Sequence, residues 1–205
     1  MTEGLKVGRG KKIVDTSVVV EAAIALIETK GFDEFSTRRL AAELRISAMT
    51  LYNYYDNRDA ILKETVLRGF QIFWEGLPEK IDVCYNACAN PLRVYAVLAE
   101  HLIEFAVARP NLYRFLFWAD LGALMRDQTI LLRYREAFTG VIERVEDRTA
   151  IEAIGDDVYL FEVLINALAM NVLAGRSGMS PERYRELASE GYDRLLGRHE
   201  AAMRA

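Results

Sequence analysis

The segment from Ser36 to Leu62 constrains the fold most, because its pattern predicts two short helices joined by a tight turn and followed at once by a third helix. Ser36 and Ser47 each precede a short helix, where a serine hydroxyl accepts a backbone N–H that the first turn leaves unpaired. Leu40 and Leu44 then recur at helical spacing. Helices this short do not form a core by themselves. The segment therefore needs neighbouring helices, and its exposed side chains need a partner.

The rest of the chain has the apolar periodicity of helices and no convincing strand, internal repeat or low-complexity linker. Further helices are predicted over residues 15–30, 58–74, 90–107, 125–145, 156–174 and 180–196, with a short aromatic segment at 111–118. Asp156 and Asp157 are predicted to cap the helix that they begin, and residues 78–90 to be irregular. We predict an all-α protein of about nine helices, with a head (residues 1–63, including a flexible arm) and a body (residues 64–205).

Composition excludes several classes of protein. With 205 residues, of which 52% are apolar, the chain can form a globular core of one or two domains. No apolar run approaches the roughly 18–20 residues of a membrane span, and no apolar segment follows the basic N-terminus as in a signal peptide. Cys84 and Cys88 do not make a disulfide framework. These features predict a cytoplasmic protein without a membrane partner.

Charge is distributed unevenly, although the net charge of −4 does not by itself indicate a nucleic-acid partner. Residues 1–68 contain 11 Lys or Arg and 10 Asp or Glu, whereas residues 69–205 contain 15 and 20. A mildly basic first part therefore precedes an acidic second part. Ordinary solvated faces would explain the same distribution equally well.

Three runs within the first part resemble the DNA-binding domain of TetR-type transcriptional regulators. They are GluThrLysGlyPhe at the end of the first helix, ThrArgArgLeuAlaAlaGluLeu, and ArgIleSerAlaMetThrLeuTyrAsnTyrTyrAspAsnArgAspAlaIleLeu. The resemblance covers about residues 15–65 at the level of motifs, and the later helices are similar in layout only. It implies a three-helix helix-turn-helix DNA-binding domain followed by a helical domain that binds an effector and dimerises.

The resemblance also implies which side chains contact double-stranded operator DNA. In a helix-turn-helix the second helix enters the major groove with its N-terminal residues against base edges, and here that helix is predicted over about residues 48–54. Asn53 can read a base edge and Met49 a thymine methyl group. Arg58 stands where the family has a phosphate-binding lysine at a helix N-terminus. The predicted DNA contacts are Thr37, Arg38, Ala48, Met49, Thr50, Tyr52, Asn53 and Arg58.

Two residues depart from the family pattern. Arg45 occupies a turn position that usually carries glycine, and a positive φ there would cost an arginine about 1 kcal/mol relative to glycine. Met49 replaces a small residue or proline in the predicted recognition helix. Both changes leave the motif intact, but they make the operator sequence unpredictable.

The last two predicted helices suit pairing of two subunits. The helix at 156–174 is apolar nearly all round, so an isolated body would leave one of its sides exposed to water. Gly191 in the last helix would permit close approach of a partner. The resemblance likewise implies a two-fold dimer through a four-helix bundle, whose heads would bind a near-palindromic operator. The predicted dimer contacts are Phe161, Ile165, Leu168, Tyr184, Ala188, Gly191 and Leu195.

The body also contains more large side chains than a small helical core needs, with a few polar residues among them. Such a composition is typical of a small-molecule pocket, although aromatic stripes at helical spacing more often form core. The resemblance favours a pocket, since these regulators typically release DNA when they bind an effector. The predicted ligand contacts are Trp74, His101, Phe105, Trp118, Tyr134, Phe138, Asn166 and Met170.

Other chemistry has little support in the sequence. A zinc site needs about four ligands, but only Cys84 and Cys88 lie together, and a thiol redox role for them stays open. There is no phosphate-binding glycine loop and no defensible catalytic triad, so we predict no enzyme, no metal and no cofactor. The sequence predicts a ligand-responsive transcriptional regulator, with a repressor released by a small apolar or aromatic effector as the favoured form. The alternative is a helical carrier or sensor whose head has lost DNA binding.

Overall fold

The computed structural model describes residues 15–87, 90, 92–122, 124, 148–175 and 178–199. Within these ranges the chain is all-helical, with nine α-helices, short 3₁₀ turns and no strand. The helices are α1 (Thr16–Lys30), α2 (Thr37–Glu43), α3 (Ala48–Leu51), α4 (Arg58–Trp74), α5 (Leu77–Ala87), α6 (Arg93–Ala108), α7 (Pro110–Phe117), α8 (Arg148–Ala174) and α9 (Pro181–Leu195). The all-α prediction is confirmed, while the helix predicted at 125–145 lies outside the described residues.

The short helices of the head begin at their predicted capping residues. The Ser36 hydroxyl accepts the Arg39 N–H at 3.2 Å, and the Ser47 hydroxyl accepts the Thr50 N–H at 3.1 Å. Both helices bury apolar residues completely in the core, and α1 packs against α2 and α4. The two short helices therefore pack on each other and on α1, which in turn packs against α4.

Helix α4 joins the head to the body and has its predicted bounds, Arg58–Trp74. Its first half buries Ile61 and Leu62 in the core of the head. Its second half packs closely on α7, because a Cβ added at Gly69 would lie only 2.7 Å from Leu116 Cδ2. Two carbon atoms at that distance overlap, so the close approach of the two helices depends on this glycine.

The prediction of an irregular segment at residues 78–90 is wrong, because residues 77–87 form α5. Pro78 is tolerated in the first turn of this helix, where a missing N–H breaks no intrahelical bond. Helix α8 begins at Arg148, so Asp157 is inside the helix and is not its cap. The Asp157 carboxylate is nearly buried and accepts hydrogen bonds from Arg198 and His199 beyond α9, of which the Arg198 bond contributes most to lowering its pKa.

Helix α8 is the central helix of the body, where it packs against α6 and α9. A Cβ added at Gly191 of α9 would overlap the Leu164 side chain of α8. The Phe161 and Tyr192 rings meet edge to face with their centres 6.1 Å apart. The contact between α8 and α9 is therefore closely packed within one chain.

The part of α8 from Ile154 to Ala174 is long and apolar enough to cross a membrane by length and composition alone, with a mean hydropathy of 1.5. The expectation that no apolar run approaches a membrane span is therefore wrong on these two criteria. In the fold this stretch carries Glu162 and Asn166 and buries Ile165 among the other helices, as the core helix of a helical domain does.

Arg45 lies in the left-handed region of backbone conformation, with φ at 54°. The Arg45 N–H donates to Ala42 O and the Ile46 N–H donates to Ala41 O, both at 3.0 Å. These two bonds form the Schellman motif that ends α2. The sequence left open whether this position needs a positive φ. The structure shows that it does, so arginine carries a steric cost there that glycine would not.

We expect Arg45→Gly to raise the free energy of unfolding by about 1 kcal/mol, because glycine adopts this φ without a clash from Cβ. Urea denaturation followed by circular dichroism measures the change. Arg45→Ala is the matched control, since it removes the guanidinium but keeps Cβ, and it should stay within about 0.5 kcal/mol of the wild type. An equal gain in both variants would show that charge, and not φ, is responsible.

Candidate DNA interface and effector pocket

The predicted recognition helix is shorter than the sequence indicates. Helix α3 ends at Leu51, and residues 52–54 form a turn in place of the helix predicted over 48–54. The Tyr55 N–H still donates to Leu51 O at 3.0 Å, so the chain completes one more helical bond. Tyr55 is buried, and its hydroxyl donates to Glu64 of α4 at 2.8 Å. Burial, and then this hydrogen bond, raises the Tyr55 pKa, and the residue anchors the recognition turn to α4.

Every predicted DNA contact lies at the surface, either exposed or half-exposed. Met49 is 72% exposed, the largest value among the exposed large apolar side chains of the described residues. The Tyr52 hydroxyl lies 3.2 Å from the Thr37 hydroxyl, so the recognition turn and the start of α2 are joined through their side chains. An apolar tip at position 49 beside two paired hydroxyls suits a surface that contacts both a base and a phosphate.

Arg58 is supported by two rings that the sequence analysis did not place in the site. Its guanidinium carbon lies 5.6 Å from the ring centres of both Phe32 and Phe35, within the range of cation–π attraction. Asn57 caps α4 directly before it, accepting the Ala60 N–H at 2.9 Å. The arginine charge and the helix dipole therefore both favour an anion at this end of α4. Two phenylalanines three apart, just before the cap of α2, were the available signal.

The two arginines at the start of α2 differ in their surroundings. Both are exposed. Arg39 forms an ion pair with Glu34, whereas Arg38 has no ion pair among the described residues. Arg38 is therefore the arginine of the two whose charge is left for another molecule.

A pocket lies in the body between α4, α6, α7 and α8. Its volume is about 40 Å³. That is room for a few waters, so a larger ligand requires lining side chains to move. The lining residues are Phe73, Trp74, Tyr95, Leu98, Ala99, Leu102, Phe117, Phe161, Glu162, Ile165 and Asn166.

Two of the predicted ligand contacts, Trp74 and Asn166, line this pocket. The described ones that do not line it are His101, Phe105, Trp118 and Met170. The first two are buried in the core, Trp118 is exposed, and Met170 is half-buried against the core. Tyr134 and Phe138 lie outside the described residues. Periodicity located the helices around the pocket but not the side of each helix that faces it.

His101 has a structural position beside the pocket wall. Its Nε2 donates to the Phe73 carbonyl at 2.5 Å, and its ring meets the Phe73 ring with the centres 5.1 Å apart. Burial lowers the pKa of His101, so the imidazole is neutral at pH 7. The Phe105 ring also packs on Phe73 at 5.1 Å. Both residues therefore hold in place a ring that does line the pocket.

Glu162 is the charged residue among the pocket-lining residues that the sequence analysis missed. It lies one helical turn before Asn166 on α8, and the Asn166 amide donates to its backbone carbonyl at 2.9 Å. The two residues share one side of an otherwise apolar helix. Two polar residues at i and i+4 in such a helix were the signal that could have found it.

The predicted dimer contacts are buried inside a single chain, apart from one that is half-buried. They are Phe161, Ile165, Leu168, Tyr184, Ala188 and Gly191, with Leu195 half-buried. Gly191 accommodates Leu164 of its own chain, and its role as a partner contact stays a prediction. The open apolar positions of α8 are Tyr159, Leu160 and Val163, which are 64%, 51% and 49% exposed.

Metal and thiol chemistry gains no site from the described part of the chain. No group of three or more His, Cys, Asp or Glu side chains is arranged there to hold a metal ion. Cys84 is half-buried in α5, and Cys88 lies outside the described residues. A redox role for the two thiols therefore stays an open alternative.

A known protein family matches the part of the chain that contains most of the first four helices. Residues 19–65 match the family described as bacterial regulatory proteins, tetR family. The match covers most of α1, all of α2 and α3, and the first half of α4. No curated protein matches the chain.

Solved structures are similar over most of the chain. A proposed transcriptional regulator from Pseudomonas aeruginosa PAO1 has a TM-score of 0.62 at 18% identity, over 96% of this chain and 99% of that one. A TetR-like transcriptional regulator from Rhodococcus sp. RHA1 has a TM-score of 0.61 at 21% identity, over 88% and 95%. AibR, in complex with isovaleryl coenzyme A and operator DNA, has a TM-score of 0.56 at 16% identity, over 83% and 94%.

At these identities the structural similarity shows the fold, and it extends that fold from the head through the body. The family match falls on the helices that carry the caps, the left-handed turn and the exposed recognition residues. Residues 19–65 are therefore similar to the tetR family of bacterial regulatory proteins, and the whole chain shares the fold of the solved TetR-like regulators.

Proposed function

We propose that the chain is a homodimeric repressor that a small apolar or aromatic effector releases from a near-palindromic operator. Helix α4 carries this proposal, because one unbroken helix begins at Arg58 and ends at Phe73 and Trp74 in the pocket wall. Its 17 residues span about 25 Å at the usual rise per residue. A ligand that displaces the far end of α4 would tilt the end to which Tyr55 anchors the recognition turn.

A second set of contacts leads from the pocket to Arg58 through α7. Phe117 of α7 lines the pocket. Phe115 lies two residues earlier, and its ring centre is 5.1 Å from that of Phe32. Phe32 is one of the two rings that support Arg58. A ligand that moves α7 would therefore also move the support of the predicted phosphate contact.

The small free volume of the pocket favours a conformational response. A ligand larger than a few waters has to move side chains of α4, α6, α7 or α8, so its affinity differs between the two arrangements of the wall. DNA and effector would then oppose each other by the same coupling free energy, typically about 1–3 kcal/mol. AibR was solved with an acyl coenzyme A and operator DNA together, which supports a protein of this fold serving both kinds of ligand.

The exposed side of α8 supports the dimer. Tyr159, Leu160 and Val163 form an open apolar patch on it, whereas the exposed side of α9 carries ion pairs that centre on Arg183 and Glu190. An apolar patch of this kind is typical of a subunit interface. We therefore assign the dimer contact to this side of α8, in place of the residues that the sequence predicts.

Operator binding tests the assigned DNA contacts. Arg38→Ala and Tyr52→Ala should each weaken operator binding by about 1–3 kcal/mol per half-site, because each removes a base or phosphate contact. Fluorescence anisotropy with DNA from upstream of the protein's own coding region measures the affinity. Arg39→Ala is the matched control, because it removes an arginine from the same helix that already pairs with Glu34.

The dimer should persist in all three variants by light scattering, so that weaker binding is not a consequence of dissociation. Wild-type affinity in both Arg38→Ala and Tyr52→Ala would show that the contact assignment is wrong. If the wild-type protein itself binds none of the upstream DNA, the alternative of a helical carrier or sensor with an inactive head gains support instead.

Substitution in the apolar patch of α8 tests the dimer. Leu160→Glu and Val163→Glu should each weaken dimerisation by more than about 3 kcal/mol, because a two-fold interface would bury two unpaired carboxylates. Sedimentation equilibrium measures the dimer dissociation constant. Val83→Glu is the matched control, since Val83 is 68% exposed on α5, away from this patch. Unchanged dimers in both α8 variants would place the interface elsewhere.

A further inference from the structure

Glu162 is the one charged side chain in the pocket wall, and its carboxylate is unpaired within the described part of the chain. Among the described residues, no Lys or Arg lines the pocket. Burial is the cause that raises the pKa of Glu162, with no hydrogen bond or opposite charge acting against it. An unpaired carboxylate in an apolar wall costs free energy, because the wall replaces the water that would solvate it. The described part of the pocket wall therefore offers no positively charged side chain to pair with the Glu162 carboxylate.

The Asn166 side chain of the wall already forms hydrogen bonds within the protein. Asn166 donates from Nδ2 to the Glu162 backbone carbonyl, and its Oδ1 accepts from the Tyr113 hydroxyl at 3.4 Å. The Tyr113 hydroxyl in turn accepts from the Trp118 indole N–H at 3.3 Å. These bonds fix the orientation of α8 against α7 and leave the Glu162 carboxylate to the pocket.

Aromatic rings form the part of the wall contributed by α4 and α7. The Phe73 ring meets the Trp74 ring at 5.0 Å and the Phe117 ring at 5.4 Å between centres, edge to face in both cases. The faces of such rings carry negative electrostatic potential and attract cations that lie within about 6 Å. Rings and carboxylate therefore favour the same sign of charge in a ligand.

The wall distinguishes ligands by charge. An anionic group would meet the like charge of Glu162, and the described lining residues offer it no Lys or Arg. A neutral apolar ligand would bury the carboxylate without a partner. A cation attached to an apolar group pairs with the carboxylate and covers the rings at the same time.

We propose that the pocket binds a hydrophobic organic cation, an amine or quaternary ammonium compound whose charge pairs with Glu162 while its apolar part lies against Phe73, Trp74 and Phe117. The inference rests on the proposed function in taking this pocket as the effector site. Because the ligand has to part rings that belong to α4 and α7, its entry acts on both connections to Arg58.

Matched ions of opposite charge test the proposal directly. Tetraphenylphosphonium and tetraphenylborate have nearly the same size and shape, and benzyltrimethylammonium and phenylmethanesulfonate are a smaller pair. Isothermal titration calorimetry with the full chain measures the dissociation constants. We expect each cation that binds to bind about ten- to a hundredfold more tightly than its matched anion, because only the cation gains a charged hydrogen bond or ion pair.

Variants at position 162 assign the preference to the carboxylate. Glu162→Gln should remove the advantage of the cations over the anions, and Glu162→Asp, which keeps the charge, should retain most of it. Glu104→Gln is the matched control, because it makes the same change in an exposed carboxylate of α6 that pairs with Lys80. Cation affinity in this control should stay within about twofold of the wild type.

Equal or tighter binding of the anions overturns the proposal, as does a cation preference that survives in Glu162→Gln or a failure of both cations to bind. If the variant does not fold, the comparison of cation and anion in the wild type decides alone. Release of operator DNA is measured separately by anisotropy. A cation that binds through Glu162 without releasing DNA would support the ligand class and contradict the proposed effector response.

Discussion

The close contact between α4 and α7 at Gly69 is the constraint on which the arrangement of head and body depends. A Cβ at Gly69 would overlap the Leu116 side chain, so the α4 backbone is in direct contact with side chains of α7. One of them starts at Arg58, and the other carries Phe115 and Phe117. The position of the recognition turn and the shape of the pocket are therefore set by one packed pair of helices, and a change in either place has to involve both.

A weaker contact orients the head on the body from the other side. Arg109, directly before α7, forms an ion pair with Glu28 near the end of α1 at 2.7 Å, and Asn111 donates to the Glu28 carbonyl at 2.8 Å. Both side chains of the ion pair are partly open to solvent, and such pairs contribute at most about 1 kcal/mol. Helix α1 also packs directly against α7. The head is thus held on the body through α1 as well as through α4.

Local signals in the sequence were sufficient for the head and insufficient for the body. Serine caps, a turn position that normally takes glycine and apolar spacing act over four residues or fewer, and they predicted α2, the turn in which Arg45 has its positive φ, and the bounds of α4. Asp157 resembles a helix cap by the same local criteria, but its carboxylate binds Arg198, 41 residues away. Local sequence patterns do not predict a contact between residues so far apart in the chain. The supports of Arg58 and the face of Glu162 likewise depend on how separate helices come together. Periodicity states that a helix has a buried side but does not identify what covers it.

Helix α8 shows why this limit is most severe for an apolar helix. A helix with one polar side reveals its outward direction, because charged residues are rarely buried without partners. Helix α8 has almost no such side: Phe161 faces α9, Val163 faces outward, and Glu162, between them in sequence, faces the pocket. Successive residues point about 100° apart, so three consecutive positions serve three different contacts. The rotation of α8 about its own axis is therefore set by its neighbours. Gly191 of α9 leaves room for Leu164, and the aromatic residues of α4 and α7 pack on the pocket side. Glu162 lies on the pocket side of α8 without an ion pair among the described residues, so a ligand can supply its partner.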